Sequence, residues 1–215
     1  MEKNQEIEVK FYLNDLAKFE KNLQGLGAEL IQPRVHEVNL RFDTPDGELT
    51  SSGQVLRLRQ DERSRFTYKR HSPEQTDSVS SRTEIEFEVS NFEDARLFLE
   101  ALGYQVYVSY EKYRRTYRLP GVEVMLDETP LGDFIEIEGS DAQSIETVAA
   151  ALHLNWQARS LEGYIMLLDR VKTIHSEIQN MTFAEFADLK ITAEELGLIP
   201  ADAKTEQLSF SSKRT

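Results

Sequence analysis

Glu6, Glu8 and Lys10 stand at alternate positions of the segment QEIEVKFYL, with Ile7 and Val9 between them. Side chains at i and i+2 of a strand share a face, so the charged groups point one way and the apolar ones the other. The same rule aligns Arg57 with Arg59, Lys69 with Arg65 and Thr67, Lys112 with Arg114, and Asp127 with Glu123 and Met125. It also aligns Arg82, Glu84, Glu86 and Glu88 opposite Ile85, Phe87 and Val89, and Glu136 with Glu138 opposite Ile135 and Ile137. Paired carboxylates are hard oxygen donors for Mg²⁺ or Mn²⁺, ions that keep part of their water and bind phosphate as well. Rows of Arg and Lys take phosphate oxygens, Arg in bidentate fashion. The chemistry that uses both is that of a polyphosphate, with metal and cations neutralising charge as a P–O bond breaks. Binding of an anionic small molecule without turnover would use the same residues.

Any one of these rows also fits the wet face of a half-buried antiparallel strand. Repetition over seven strands is harder to explain that way, because single-sign rows repel themselves unless opposite charge sits between them. The elements that must position the rows are strands at 5–13, 35–43, 54–60, 64–71, 81–89, 105–118, 121–128 and 133–139. Helices are predicted over 14–27, capped by Asn14 or Asp15, over 92–102, capped by Asn91, and from Asp141 to about 152. From residue 160 the pattern is helical, first 160–175 and then two shorter helices near 182–188 and 192–197. A polar loop at 72–80 and a polar tail over the final fifteen residues complete the chain. The expectation is an α+β fold: an eight-stranded antiparallel closed β-barrel with its charges inward, flanking helices and a C-terminal helical extension. Residues 1–175 would form the barrel domain and 176–215 a short appendage.

The 215 residues suit one sizeable domain, and 40% hydrophobic residues can build a real core. The absence of cysteine excludes disulfides, thiolate metal sites and cysteine nucleophiles, and agrees with a reducing cytoplasm. A net charge of −13 disfavours nonspecific nucleic-acid binding. No stretch has signal-peptide or membrane-spanning character, so a soluble cytoplasmic protein is expected, with no membrane partner and with a homodimer left open. The four histidines lack zinc-ligand spacing, and there is no P-loop, G-x-G-x-x-G or G-x-S-x-G sequence.

The ordered series Glu6-x-Glu8-x-Lys10, Phe42-Asp43-Thr44, Leu56-Arg57-Leu58-Arg59, Thr67-Tyr68-Lys69, Arg82-x-Glu84-x-Glu86, Lys112-x-Arg114, Asp127 and Glu136-x-Glu138 resembles the CYTH family, the triphosphate tunnel metalloenzymes. The family includes class IV adenylate cyclases, thiamine triphosphatases and inorganic triphosphatases. The resemblance spans roughly residues 1–170. It implies that Glu6, Glu8, Glu136 and Glu138 are the main metal-binding carboxylates, assisted by Asp127, Glu84 and Glu86, with Mg²⁺ or Mn²⁺ as cofactor. It implies that Lys10, Arg57, Arg59, Lys69, Lys112 and Arg114 hold the triphosphate, with Arg82 equally suited to pair a neighbouring glutamate. Catalysis would rest on Glu6, Glu8, Lys10, Glu136 and Glu138, and the substrate would be inorganic triphosphate, thiamine triphosphate or ATP. Hydrolysis of the triphosphate is the first expectation and cyclisation of ATP the close alternative. The second strand departs from the cyclase-like members by carrying Glu37, Asn39 and Arg41 on its charged face, which weakens any transfer of nucleoside recognition.

Overall fold

Strict alternation of apolar and charged residues does build strands. The computed structural model describes residues 5–71 and 80–203, with side chains from 7 to 70 and 83 to 203. The strands are β1 (Gln5–Leu13), β2 (Glu29–Asp43), β3 (Gln54–Gln60), β4 (Ser64–His71), β5 (Ser80–Val89), β6 (Gln105–Leu119), β7 (Val122–Thr129), β8 (Gly132–Gly139) and the two-residue β9 (Arg159–Ser160). Between them lie α1 (Leu16–Gly25), α2 (Glu48–Ser51), α3 (Phe92–Ala101), α4 (Ala142–Ala151) and α5 (Tyr164–Ile174). Asp15, Asn91 and Asp141 cap α1, α3 and α4, each accepting from a backbone N–H three residues on.

The expected eight-stranded closed barrel is corrected. The strands form one nine-stranded antiparallel sheet in the order β5-β4-β3-β2-β6-β7-β8-β1-β9. The sheet curls far enough for β1 to meet β5, but over four residue pairs only, Gln5–Glu8 against Ser80–Thr83. From Lys10 onward the same edge of β1 is taken by β9, where Lys10 and Phe11 face Ser160 and Arg159. One strand edge cannot serve two neighbours at the same residues, so the seam with β5 is not continued. The two predicted C-terminal helices are also absent: described residues from 176 onward form turns. The predicted loop at 72–80 and the polar tail fall, but for Ser80 and residues 201–203, outside the described residues.

Alternation sorts the two faces of the sheet. The outer face of β1, β7 and β8 (Val9, Phe11, Val124, Leu126, Ile135, Ile137) packs on α1 and α4 through Phe19, Leu23, Ile145 and Ala149. A smaller cluster joins Phe42, Leu58 and Phe66 to Ala95 and Leu99 of α3. A third lies at one end of the inner face, where Tyr110 and Phe134 meet α5 and residues 178–196. Met181 pairs its backbone with β6, donating to the Ser109 carbonyl and accepting from the Glu111 N–H. Ala201 and Asp202 then return to the β1–α1 junction, donating to the Tyr12 carbonyl and accepting from Asn14 and Asp15.

Candidate functional site

The inner face is the charged one. A cavity of about 100 Å³ is lined by Glu8 and Lys10 of β1, Arg41 of β2, Arg57 and Arg59 of β3, Lys69 of β4, Lys112 and Arg114 of β6, and Glu136 and Glu138 of β8. Tyr110 and the start of α5, Gly163 to Ile165, wall one side. A second cavity of about 320 Å³ shares Arg59, Lys69, Arg114, Met125 and Glu138 with the first and adds Glu37, Arg65, Glu84, Glu86 and Thr116. Register explains the convergence: Lys10 stands opposite Glu136 and Glu8 opposite Glu138 across β1 and β8. Arg114 stands opposite Asp127 across β6 and β7, and Lys69 opposite Glu84 across β4 and β5.

Buried charge demands partners, and the inner face supplies them. Asp127 is wholly buried. It accepts from Arg114 through both oxygens, from Lys112 Nζ at 2.9 Å and from the Tyr164 hydroxyl at 2.7 Å. Glu136 accepts from Lys10 and from Arg114. Burial alone would raise the Glu136 carboxyl, but the charges of Lys10, Arg114 and Lys112 outweigh it and hold that group well below the usual carboxylate range. The Tyr164 hydroxyl is pushed well above the ordinary phenol by burial and by Asp127 and Glu136. Its ring lies 4.3 Å from Lys10 Nζ. Arg57 donates to Thr67 Oγ1 at 3.0 Å and to the Tyr110 hydroxyl at 3.3 Å, while Thr67 donates on to Glu86 at 2.8 Å. Glu86 also lies 3.7 Å from Arg57, and Lys69 Nζ lies 3.0 Å from Glu84. Burial and the neighbouring Arg57 lower the Arg59 guanidinium from its usual value.

The structure thus brings Glu8, Lys10, Arg57, Arg59, Lys69, Glu84, Glu86, Lys112, Arg114, Asp127, Glu136 and Glu138 to one interior. Glu6 and Arg82 stand opposite each other in the β1–β5 register, and their side chains lie outside the described residues. Arg65 pairs with Asp61, Glu88 with Arg63, and Glu123 with Arg118, toward strand ends, although Arg65 and Glu123 also line the second cavity. Four contributors escaped the sequence reading as site residues. Glu37 and Arg41 come from β2. Tyr110 sits two residues before Lys112, so the alternation rule carried one step further would have found it. Tyr164 belongs to a helix, beyond the reach of a period of two. Asn39, on the same face of β2, is fully buried, and neither of its amide atoms has a hydrogen-bond partner among the described residues.

Among the described residues no three acidic or imidazole side chains are close enough to cage a metal ion by themselves. The cross-strand acids Glu8 and Glu138 line the cavity together with the cations. Mg²⁺ and Mn²⁺ suit that donor set, since Mg²⁺ is ordinarily held by one or two carboxylates and completes its shell with water and phosphate oxygens. Both oxygens of Asp127 are already committed to cations and a hydroxyl.

The curved antiparallel sheet and its inner face define the class: a β protein with a charge-lined interior. The CYTH domain profile matches residues 4–191, and the chain belongs to the CYTH domain family. A candidate adenylate cyclase from Vibrio parahaemolyticus has a similar fold, with a TM-score of 0.68 and 21% identity over 77% of this chain and 98% of its own. A Pyrococcus horikoshii structure matches at 0.64 with 29% identity over 74% and 97% of the two chains, and a Pyrococcus furiosus protein at 0.64 with 26% over the same shares. No curated protein matches the chain. Among the described residues no helix is long and apolar enough to cross a membrane.

Proposed function

We propose that this protein is a divalent-metal-dependent triphosphatase that hydrolyses inorganic triphosphate or an organic triphosphate. The observation that carries the reading is the convergence of seven cationic side chains, from five strands, on one cavity that also holds Glu8, Glu136 and Glu138. So many cations are tolerable in one place only with anions among them, a part the inner-face acids play here, and Arg and Lys clustered in this way are also the groups that suit the oxygens of a triphosphate. Mg²⁺ or Mn²⁺ held by Glu8 and Glu138, with Glu6 as a further expected ligand, would supply Lewis-acid charge to the phosphate oxygens.

The protein's own groups do the rest. Arg57, Arg59 and Lys69 on one wall, and Lys10, Lys112 and Arg114 on the other, bind the phosphate oxygens and stabilise the charge that spreads as the bridging bond loosens. Asp127 and Tyr164 hold Lys112 and Arg114 in place for that contact. Water attacks the terminal phosphorus, its proton passes to solvent or to a phosphate oxygen, and the bridging P–O bond breaks to release orthophosphate.

The test is chromatographic product analysis of the full chain incubated with inorganic triphosphate, thiamine triphosphate or ATP, each with Mg²⁺ or Mn²⁺. Orthophosphate release supports the reading and ranks the substrates. Cyclic AMP with pyrophosphate would replace it by the cyclase reaction, and binding by calorimetry without any product would replace it by a sensor.

A further inference from the structure

The chemistry above leaves the buried acid Glu37 unused. Glu37 on β2 is 1% exposed, yet its carboxylate is not committed to any one cation. It lies 3.8 Å from Arg59, 3.7 Å from Lys112 and 4.0 Å from Arg114, and its Oε2 has no hydrogen bond among the described residues. Charge-assisted hydrogen bonds run about 2.7–2.9 Å, so these are contacts through the field, shared among three cations. Asp127 differs: four hydrogen bonds tie it into the wall. Burial by itself would raise the Glu37 carboxyl, but Lys112, Arg59, Arg114 and Arg57 bring it down to about 2. It is therefore a full negative charge at neutral pH. It also lines the second cavity, next to Arg59 and Arg114, which line both.

An anion suspended among cations occupies the electrostatic position that a phosphate group would seek. We propose that Glu37 is a built-in counter-anion, competing with phosphate groups for the field of Arg59, Lys112 and Arg114. It thereby limits how tightly a polyphosphate, or the orthophosphate left after cleavage, is held. The proposal rests on the reading of this interior as a polyphosphate site. Its physical content is a sign: a carboxylate within about 4 Å of the binding cations repels any incoming anion while it shields those cations from one another. A group that merely braced the cations would have the opposite effect on affinity when removed.

Calorimetry of the full chain with inorganic triphosphate and with orthophosphate, without metal, reads that sign. Glu37→Gln keeps the shape and removes the charge, and is expected to bind both anions about tenfold more tightly than the wild type. Unchanged or weaker binding by the folded variant would overturn the proposal and make Glu37 a brace. Should Glu37→Gln fail to fold, the pair Glu37→Gln/Arg59→Gln removes one charge of each sign and is compared with Arg59→Gln alone. Tighter binding by the pair supports the counter-anion, and equal or weaker binding overturns it. Binding without turnover, tightened in the variant, would sink the triphosphatase reading and leave this one standing. No triphosphate binding by either the wild type or the variant would overturn this proposal, while the triphosphatase reading would still stand or fall on the product analysis with metal.

Discussion

Which charges are spent on structure, and which are kept for a ligand, is decided one residue at a time. Asp127 is structural in this sense, because its partners are fixed and its oxygens are full. Asp127→Asn should cost about 3–5 kcal/mol, the usual result of leaving buried cations uncompensated. Urea denaturation measures it, and a loss under about 1 kcal/mol would mean that Asp127 is not the tie holding Arg114 and Lys112. Glu8→Gln, at the cross-strand acid pair, should abolish metal-dependent turnover and leave the melting temperature near that of the wild type, and retained activity would remove Glu8 from the metal site. Both buried acids Glu37 and Glu136 carry lowered pKa values, so the folded state binds fewer protons than the unfolded one. Their stabilisation is present in full above the usual carboxylate range, and falls away as pH drops through the folded values. For Glu37 that window runs from 4.5 down to about 2. Denaturant midpoints that stay flat between neutral pH and pH 2 would contradict it.

At the level of elements, most of what positions the site was legible in the sequence, since a period of two dictates both strand and facing. β3, β4, β6, β7 and β8 fall within a residue or two of the alternating segments, and the capping side chains of α1, α3 and α4 mark their starts. For β2, alternation marks only residues 35–43 of a strand that runs from Glu29 to Asp43. Its first half passes Pro33 and shifts register between Leu30, Gln32 and Val35, which breaks the alternation. β9 is two residues long and leaves no periodic signal. Yet β9 takes the edge of β1 and so limits the seam that a closed barrel would need. The C-terminal segment has helical apolar spacing but folds as turns, because its backbone bonds go to β6 at Met181 and to loops of its own. The β7–β8 turn shows a backbone constraint of its own: Gly132 has φ +118°, and a Cβ there would lie 2.8 Å from the Tyr12 ring. Gly132→Ala should therefore cost about 1–3 kcal/mol in thermal or urea unfolding, and a neutral result would show that this turn relaxes freely.

For the whole molecule, the charged interior works because cover is added from outside and from one end. Residues 178–196 bury Ile178, Met181, Phe186, Ile191 and Leu196 against α5 and β6. Each such side chain contributes about 1.5–3 kcal/mol of burial. A chain ending at residue 175 should accordingly melt many degrees lower or fail to stay soluble, while an unchanged melting curve would make 176–203 an independent appendage. The cover is uneven. β7 and β8 are buried on both faces, whereas the outer face of β5 leaves Ile85 50% and Phe87 56% exposed. Opening free energies should vary around the sheet in the same way. In native-state hydrogen exchange, the amides of β7 and β8 should be released only with global unfolding, and those of β4 and β5 through shallow local openings. The wall that carries Lys69, Glu84 and Glu86 is then the compliant one, able to breathe while the wall that carries Asp127 and Glu136 stays shut.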